Sequence, residues 1–205
     1  MIRNWHNKTH EAWVNEIANN GYDTVGVLKF DNGRYIKPKQ ALALYKAYWH
    51  KVDRTLFGCA ANKGYGVQRW CFSELGADER NLHLHFVAVS PFATEAFCAV
   101  LNGFWSNFHP RTAHSSYNWI TPIQHRYKAA AYTAKSTKQF QYDQIGIANC
   151  FQPSATLKHY TFDPAAQARR ITNRLTDEQF EQAFFQLKRQ ITETGKRLTF
   201  RQSRA

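Results

Sequence analysis

The chain has 205 residues, 43% hydrophobic and 15% aromatic, with 27 Lys and Arg against 15 Asp and Glu and a formal net charge of +12. This length suits one domain or one domain with an appendage, and the apolar content excludes wholesale disorder. The positive excess predicts a polyanionic partner, nucleic acid foremost, while the lack of a long apolar segment or basic amphipathic anchor argues against a membrane partner.

The opening residues lack the apolar core of a signal peptide. Cys59, Cys71, Cys98 and Cys150 form no C-x-x-C pattern, so neither a zinc finger nor a disulfide framework is expected. The protein is expected in reducing cytoplasm, or in whichever host compartment holds the DNA.

Residues 10–18 read as a short amphipathic helix with Trp13, Val14 and Ile17 apolar, stopped by Asn19-Asn20-Gly21. Residues 24–30 read as a strand followed by a turn at Asp31-Asn32-Gly33. Pro38 opens a helix that runs through Tyr48 and Trp49 to about Leu56 and ends before Gly58. Its aromatic stripe is read as packing against a sheet.

Residues 67–75 and 81–89 read as the two strands of a hairpin, joined by a turn around Gly76. In Asn81-Leu82-His83-Leu84-His85-Phe86, side chains alternate faces: His83 and His85 point one way, and Leu82, Leu84 and Phe86 point into a core. Antiparallel pairing places Glu74 across from the histidines as a third, carboxylate ligand, with Asp78 or Glu79 as the substitute in another register. Two imidazoles and one carboxylate with open positions suit Mg²⁺ or Mn²⁺ better than a closed zinc site.

Ser90-Pro91 opens a further helix with Phe97, Val100, Leu101 and Trp105 spaced for burial, and residues 117–120 form a short strand. The alanine-rich residues 129–135 favour helix, with Tyr132 and Lys135 at i, i+3: a candidate nucleophile and a fixed positive charge. Lys128, Tyr132, Lys135 and Gln139 make one polar stripe, and Tyr127 falls off it.

Helices alternating with antiparallel strands predict an α+β fold, a central antiparallel sheet with helices on one face and the metal site on the other. Periodicity fades over residues 139–158, and a boundary near 151–154 divides a core of residues 1–152 from a basic, helical C-terminal extension, 153–205. There Asp163 or Thr161 caps a helix toward Arg170, and Thr176-Asp177-Glu178-Gln179 has capping-box chemistry for a helix toward Thr192. The basic tail, 196–204, reads either as a phosphate-tracking segment or as a frayed terminus.

His83-Leu84-His85 on a strand followed by Tyr-x-x-Lys at Tyr132 and Lys135 resembles the HUH endonucleases, in particular the single-tyrosine rolling-circle replication initiators (Rep proteins) of plasmids and single-stranded DNA phages and viruses. The tyrosine follows the second histidine by 47 residues; in conjugative relaxases it usually precedes the histidines. The resemblance spans residues 24–138, although residues 24–30 depart from the aromatic-Thr-hydrophobic pattern of the first Rep motif.

The resemblance implies a ferredoxin/RRM-like HUH nuclease core, Mg²⁺ or Mn²⁺ at Glu74, His83 and His85, and Tyr132 as catalytic nucleophile with Lys135 assisting. Lys29, Lys128 and Lys138 are the candidate DNA contacts. The implied activity is nicking and rejoining of single-stranded origin DNA through a 5′-phosphotyrosyl link, which starts rolling-circle replication. With no G-x-x-x-x-G-K-[ST] phosphate loop, a separate helicase and a host polymerase are the implied partners. Two rivals remain. A single-tyrosine transposase shares the core but commonly draws a metal ligand from its tyrosine helix; a non-catalytic nucleic-acid-binding module would bind without covalent chemistry.

Overall fold

The computed structural model describes residues 2–75, 81–138, 149–151 and 163–202, with side chains over 7–75, 81–137 and 163–194. Five strands, β1 (Thr24–Lys29), β2 (Arg69–Leu75), β3 (Leu82–Ala88), β4 (Trp119–Pro122) and β5 (Asn149–Phe151), form one antiparallel sheet in the order β4-β1-β3-β2-β5. The helices are α1 (Ile2–Asn19), α2 (Pro38–Phe57), α3 (Thr94–Ser106), α4 (Arg126–Thr133), α5 (Pro164–Thr172) and α6 (Asp177–Gln202). From β1 to β4 the order β-α-β-β-α-β, with α2 and α3 as the crossovers, is that of a ferredoxin-like α+β core.

Local chemistry sets the ends of these elements. Pro38 sits in the first turn of α2, where a missing N–H is not needed, and Gly58 closes the helix at φ +59° with its N–H donating to the Arg54 carbonyl. Asp163 caps α5 by accepting from the Ala165 N–H at 2.9 Å. At the start of α6, Thr176 and Gln179 exchange the two hydrogen bonds of a capping box, at 3.1 and 3.2 Å.

One sheet face carries Leu28, Cys71, Leu82, Leu84, Phe86, Ala88 and Ile120, which join side chains of α2 and α3 in the main core. The aromatic stripe of α2 packs there as expected: Tyr48 meets Trp105 edge-on with centroids 5.0 Å apart, and Trp49 meets Phe86 at 5.5 Å. Gly26 of β1 makes room for the Phe86 ring, which a Cβ at that position would approach to 2.3 Å.

The histidine face is not left open, contrary to the expectation of helices on one side only. Ile17, Ala18 and Tyr22 join Phe72, Val87, Ala130 and Ala134 in a second core formed under α1 and α4. Trp13 of α1 packs edge-on against Trp70 and Phe72, with centroids 4.6 and 5.3 Å apart. The reason lies in the strands: Trp70, Phe72 and Val87 alternate onto the same face as Glu74, His83 and His85, and that much apolar surface needs a cover. Helix α1 also starts about eight residues earlier than periodicity indicated, because its first turns carry few apolar residues.

Beyond the stretch expected to hold the domain boundary, most of which lies outside the described residues, α5 and α6 pack onto the same main core. Leu175 and Leu187 are buried in it, and Gly103 of α3 admits Leu175, whose Cδ1 would stand 2.7 Å from a Cβ there. Helix α6 continues to Gln202, past the expected end near Thr192.

If α6 is integral to this core, Leu187→Ala should cost about 2–5 kcal/mol, the usual range for a buried leucine. Urea unfolding followed by tryptophan fluorescence and by far-ultraviolet circular dichroism should then shift together. Transitions that separate in the variant would show that α6 unfolds by itself.

Candidate active site

The hairpin register pairs Glu74 with His83 and Phe72 with His85, while β1 pairs Lys29 with His83 from the other side. Directly opposed residues share a face, so Lys29, His83 and Glu74 form a row across three strands, with His85 two residues along. Glu74 Oε2 lies 2.7 Å from His85 Nε2 and 3.6 Å from His83 Nε2. The three candidate ligand atoms lie within 4.8 Å of one another, and this group can hold a metal ion.

The donor set fits that role. His83 Nδ1 lies 2.9 Å from the Asn81 carbonyl, which only accepts, so the ring hydrogen sits on Nδ1 and Nε2 offers its lone pair to the site. Although His85 Nε2 and Glu74 Oε2 are close, they are not aligned as a hydrogen bond; both are buried without a hydrogen-bond partner, as is His85 Nδ1. Buried polar atoms converging on one point are costly unless a cation or proton lies between them.

Burial by itself would raise the Glu74 carboxyl, but the contacts with His83, His85 and Lys135 outweigh it and hold the group well below the usual carboxylate range. Burial also pushes His85 below the ordinary histidine value, partly offset by Glu74. At neutral pH the pair is therefore a carboxylate and a neutral imidazole, the forms that bind a metal.

Helix α4 brings Tyr132 to this group by burying Ala130 on the sheet, where a small side chain permits close approach; Ala134, just past its end, is buried in the same cluster. The Tyr132 ring meets the His85 ring edge-on, centroids 4.9 Å apart, and is 42% exposed. Lys135 Nζ lies 2.7 Å from Glu74 Oε1 and 4.9 Å from the centre of the Tyr132 ring. Tyr132 and Lys135 do not share one α-helix, as the spacing had implied. Helix α4 ends at Thr133 and Lys135 opens a 3-10 turn, Lys135–Lys138.

The break has a local cause, since the Thr137 hydroxyl donates to the Ala134 carbonyl at 2.6 Å and competes with a continued helix. His10, from α1, places its Nδ1 3.2 Å from the same carbonyl and 3.1 Å from Thr137 Oγ1. Sequence reasoning did not single out His10, because its contacts span more than a hundred residues and no local pattern announces them.

Of the other expected residues, Lys29 is exposed on the His83 side of the sheet, and Lys128 is exposed one turn before Tyr132. Tyr127 is 59% exposed elsewhere on α4. The Lys138 side chain lies outside the described residues, as do Asp78, Glu79 and Gln139. Among the described residues no helix is long and apolar enough to cross a membrane. Comparison with protein-family models, curated proteins and solved structures finds no match.

The protonation states carry a stability signature. Because the folded-state values of His85 and Glu74 are depressed, each contributes stability that is full above its unfolded value and lost as pH falls toward the folded one. Stability of the metal-free protein should therefore decline below about pH 6.5, the ordinary histidine value, and further through the carboxylate range near about pH 4.3. Urea midpoints measured in EDTA across this range should fall less steeply in His85→Asn; an identical slope would remove His85 as a source of the decline.

Proposed function

We propose that the protein is a metal-dependent endonuclease that nicks single-stranded DNA and rejoins it through a 5′-phosphotyrosyl intermediate, starting rolling-circle replication in the manner of the Rep proteins it resembles. One observation carries this reading. Three ligand atoms converge within 4.8 Å of one another, and the ring of a partly exposed tyrosine packs against one of the ligating imidazoles.

A Mg²⁺ or Mn²⁺ ion held by Glu74, His83 and His85 would supply Lewis-acid polarisation of a scissile phosphate. Tyr132 attacks the phosphorus through its phenol oxygen. A tyrosyl O–P bond forms, the bond from phosphorus to the 3′ oxygen breaks, and the phenol proton ends, by way of solvent, on the departing 3′ hydroxyl. One phosphodiester replaces another, so the reverse attack reseals the strand without ATP.

Lys135 acts on both partners. Its ammonium binds Glu74 Oε1 and leaves Oε2 toward the histidines, and it stands close enough to the Tyr132 ring to stabilise charge as the phenol oxygen attacks. Lys29, Lys128 and Lys138 supply phosphate contacts, part of a sequence-independent and salt-sensitive affinity. Strand separation and synthesis then fall to a separate helicase and a host polymerase. The transposase alternative is less favoured, because the metal-ligating group among the described residues includes no residue of α4.

The reading is tested with labelled single-stranded origin DNA and Mn²⁺, resolved by denaturing electrophoresis. Wild-type protein and Tyr127→Phe should give a covalent protein–DNA adduct, and Tyr132→Phe should give none while still binding DNA. His83→Ala and His85→Ala should abolish nicking yet keep most of the salt-dependent affinity. Lys135→Ala should slow the reaction about 10²–10³-fold, as expected for loss of one preorganised electrostatic contact. An adduct from Tyr132→Phe at the wild-type rate would exclude Tyr132 as nucleophile, and undiminished metal-dependent cleavage by the double histidine variant would exclude the metal site.

A further inference from the structure

We infer that the groove beside Tyr132 is a subsite for one unstacked nucleobase, and that the C-terminal helix α6 helps to select it; this rests on the DNA-nicking reading above. The groove, a hollow of about 260 Å³, lies between β1, β4, α4 and α6. Trp119 and Pro122 of β4, Lys128 and Tyr132 of α4, and Ile191 and Thr194 of α6 all line it.

Three observations define the occupant. The lining is largely apolar and includes Trp119, 39% exposed, a large ring left in water at the sheet edge, where a flat partner would cover it. Among the described residues no carboxylate lines the groove, whereas Lys128 does, which fits an apolar ring carried on a chain of phosphates and disfavours a cationic ligand. Tyr132 borders both the groove and His85, so a base seated here belongs to a nucleotide neighbouring the phosphate that Tyr132 attacks. A single strand offers such a base without breaking a pair, and a duplex does not.

The contribution of α6 is the new element. Ile191 and Thr194 lie beyond the stretch that carries the nuclease motifs, yet they face the same hollow as Tyr132. The amide of Gln190 donates to the Asn118 carbonyl at 2.7 Å, which fixes α6 to the residue preceding β4 and holds the two walls in register. A change in α6 therefore alters which base fits without touching the residues that cut.

The probes are oligothymidylate, oligodeoxyadenylate and a fully abasic strand of equal length, titrated by fluorescence anisotropy at constant salt in EDTA. Wild-type protein should bind at least one base-bearing strand about 5- to 100-fold more tightly than the abasic strand, the range that one base–aromatic stack provides. Trp119→Ala and the groove-filling Thr194→Trp, substitutions on two different elements, should each abolish that preference. Both should leave abasic-strand affinity and its salt dependence unchanged, which also reports that the variants fold.

Equal affinity of wild-type protein for base-bearing and abasic strands, or a preference that survives in both variants, would overturn the inference. So would a change confined to self-association in sedimentation, which would make a second copy of the chain the occupant. A base preference with no covalent adduct in the cleavage assay would retain the groove and remove the nicking reading, and an adduct without base preference would do the reverse.

Discussion

A carboxylate only 8% exposed on a sheet has to be met by positive charge or hydrogen-bond donors, and the placement of Glu74 organises the structure around it. Lys135 meets one oxygen; the other has no hydrogen-bond partner and faces two imidazole nitrogens, an arrangement that can hold a metal ion. Each comes from a different place: the carboxylate from β2, the imidazoles from β3, the ammonium from the turn that follows α4. A one-residue slip between β2 and β3 would send Glu74 to the opposite face and leave it unmatched in the main core. Hairpin register, the sharp end of α4 and the cover given by α1 thus serve one electrostatic demand.

The two sheet faces do different work. The main core is aromatic and aliphatic, and an ion pair buried in it, Asp53 with Arg69 at 3.0 Å, is closed by the Val67 N–H and by the Trp49 ring beneath the guanidinium. On the other face, the second core stops at a polar group in which Glu74 Oε2 and both His85 nitrogens lack hydrogen-bond partners. Firm packing next to that group restricts the side chains that would otherwise relax away from one another. Asn118 extends the same firmness toward the groove: its side chain accepts from the Lys29 N–H and donates to Asn102, and its carbonyl binds Gln190.

Features written in nearest-neighbour chemistry were legible in the sequence. Alternation in residues 81–89 gave the orientation of the histidines, antiparallel pairing gave Glu74, Pro38 and Gly58 marked the ends of α2, and Thr176 with Gln179 marked the start of α6. What escaped depends on distant partners. The apolar stripe of α1, Trp13, Val14 and Ile17, says that the helix is buried on one side but not on which face of the sheet it lies. The end of α4 between Tyr132 and Lys135 rests on Thr137 and His10, and alanine-rich propensity pointed the other way. The groove has walls from elements more than fifty residues apart, so no window along the chain contains it.

The residues assigned to chemistry lie between Lys29 and Lys138, while the two cores close only with segments outside that span. A fragment trimmed to the motifs would lose Ile17 and Ala18 from one sheet face and Leu175 and Leu187 from the other, leaving apolar surface wet on both sides. The shortest stretch that displays the motifs is therefore shorter than the shortest stretch that folds.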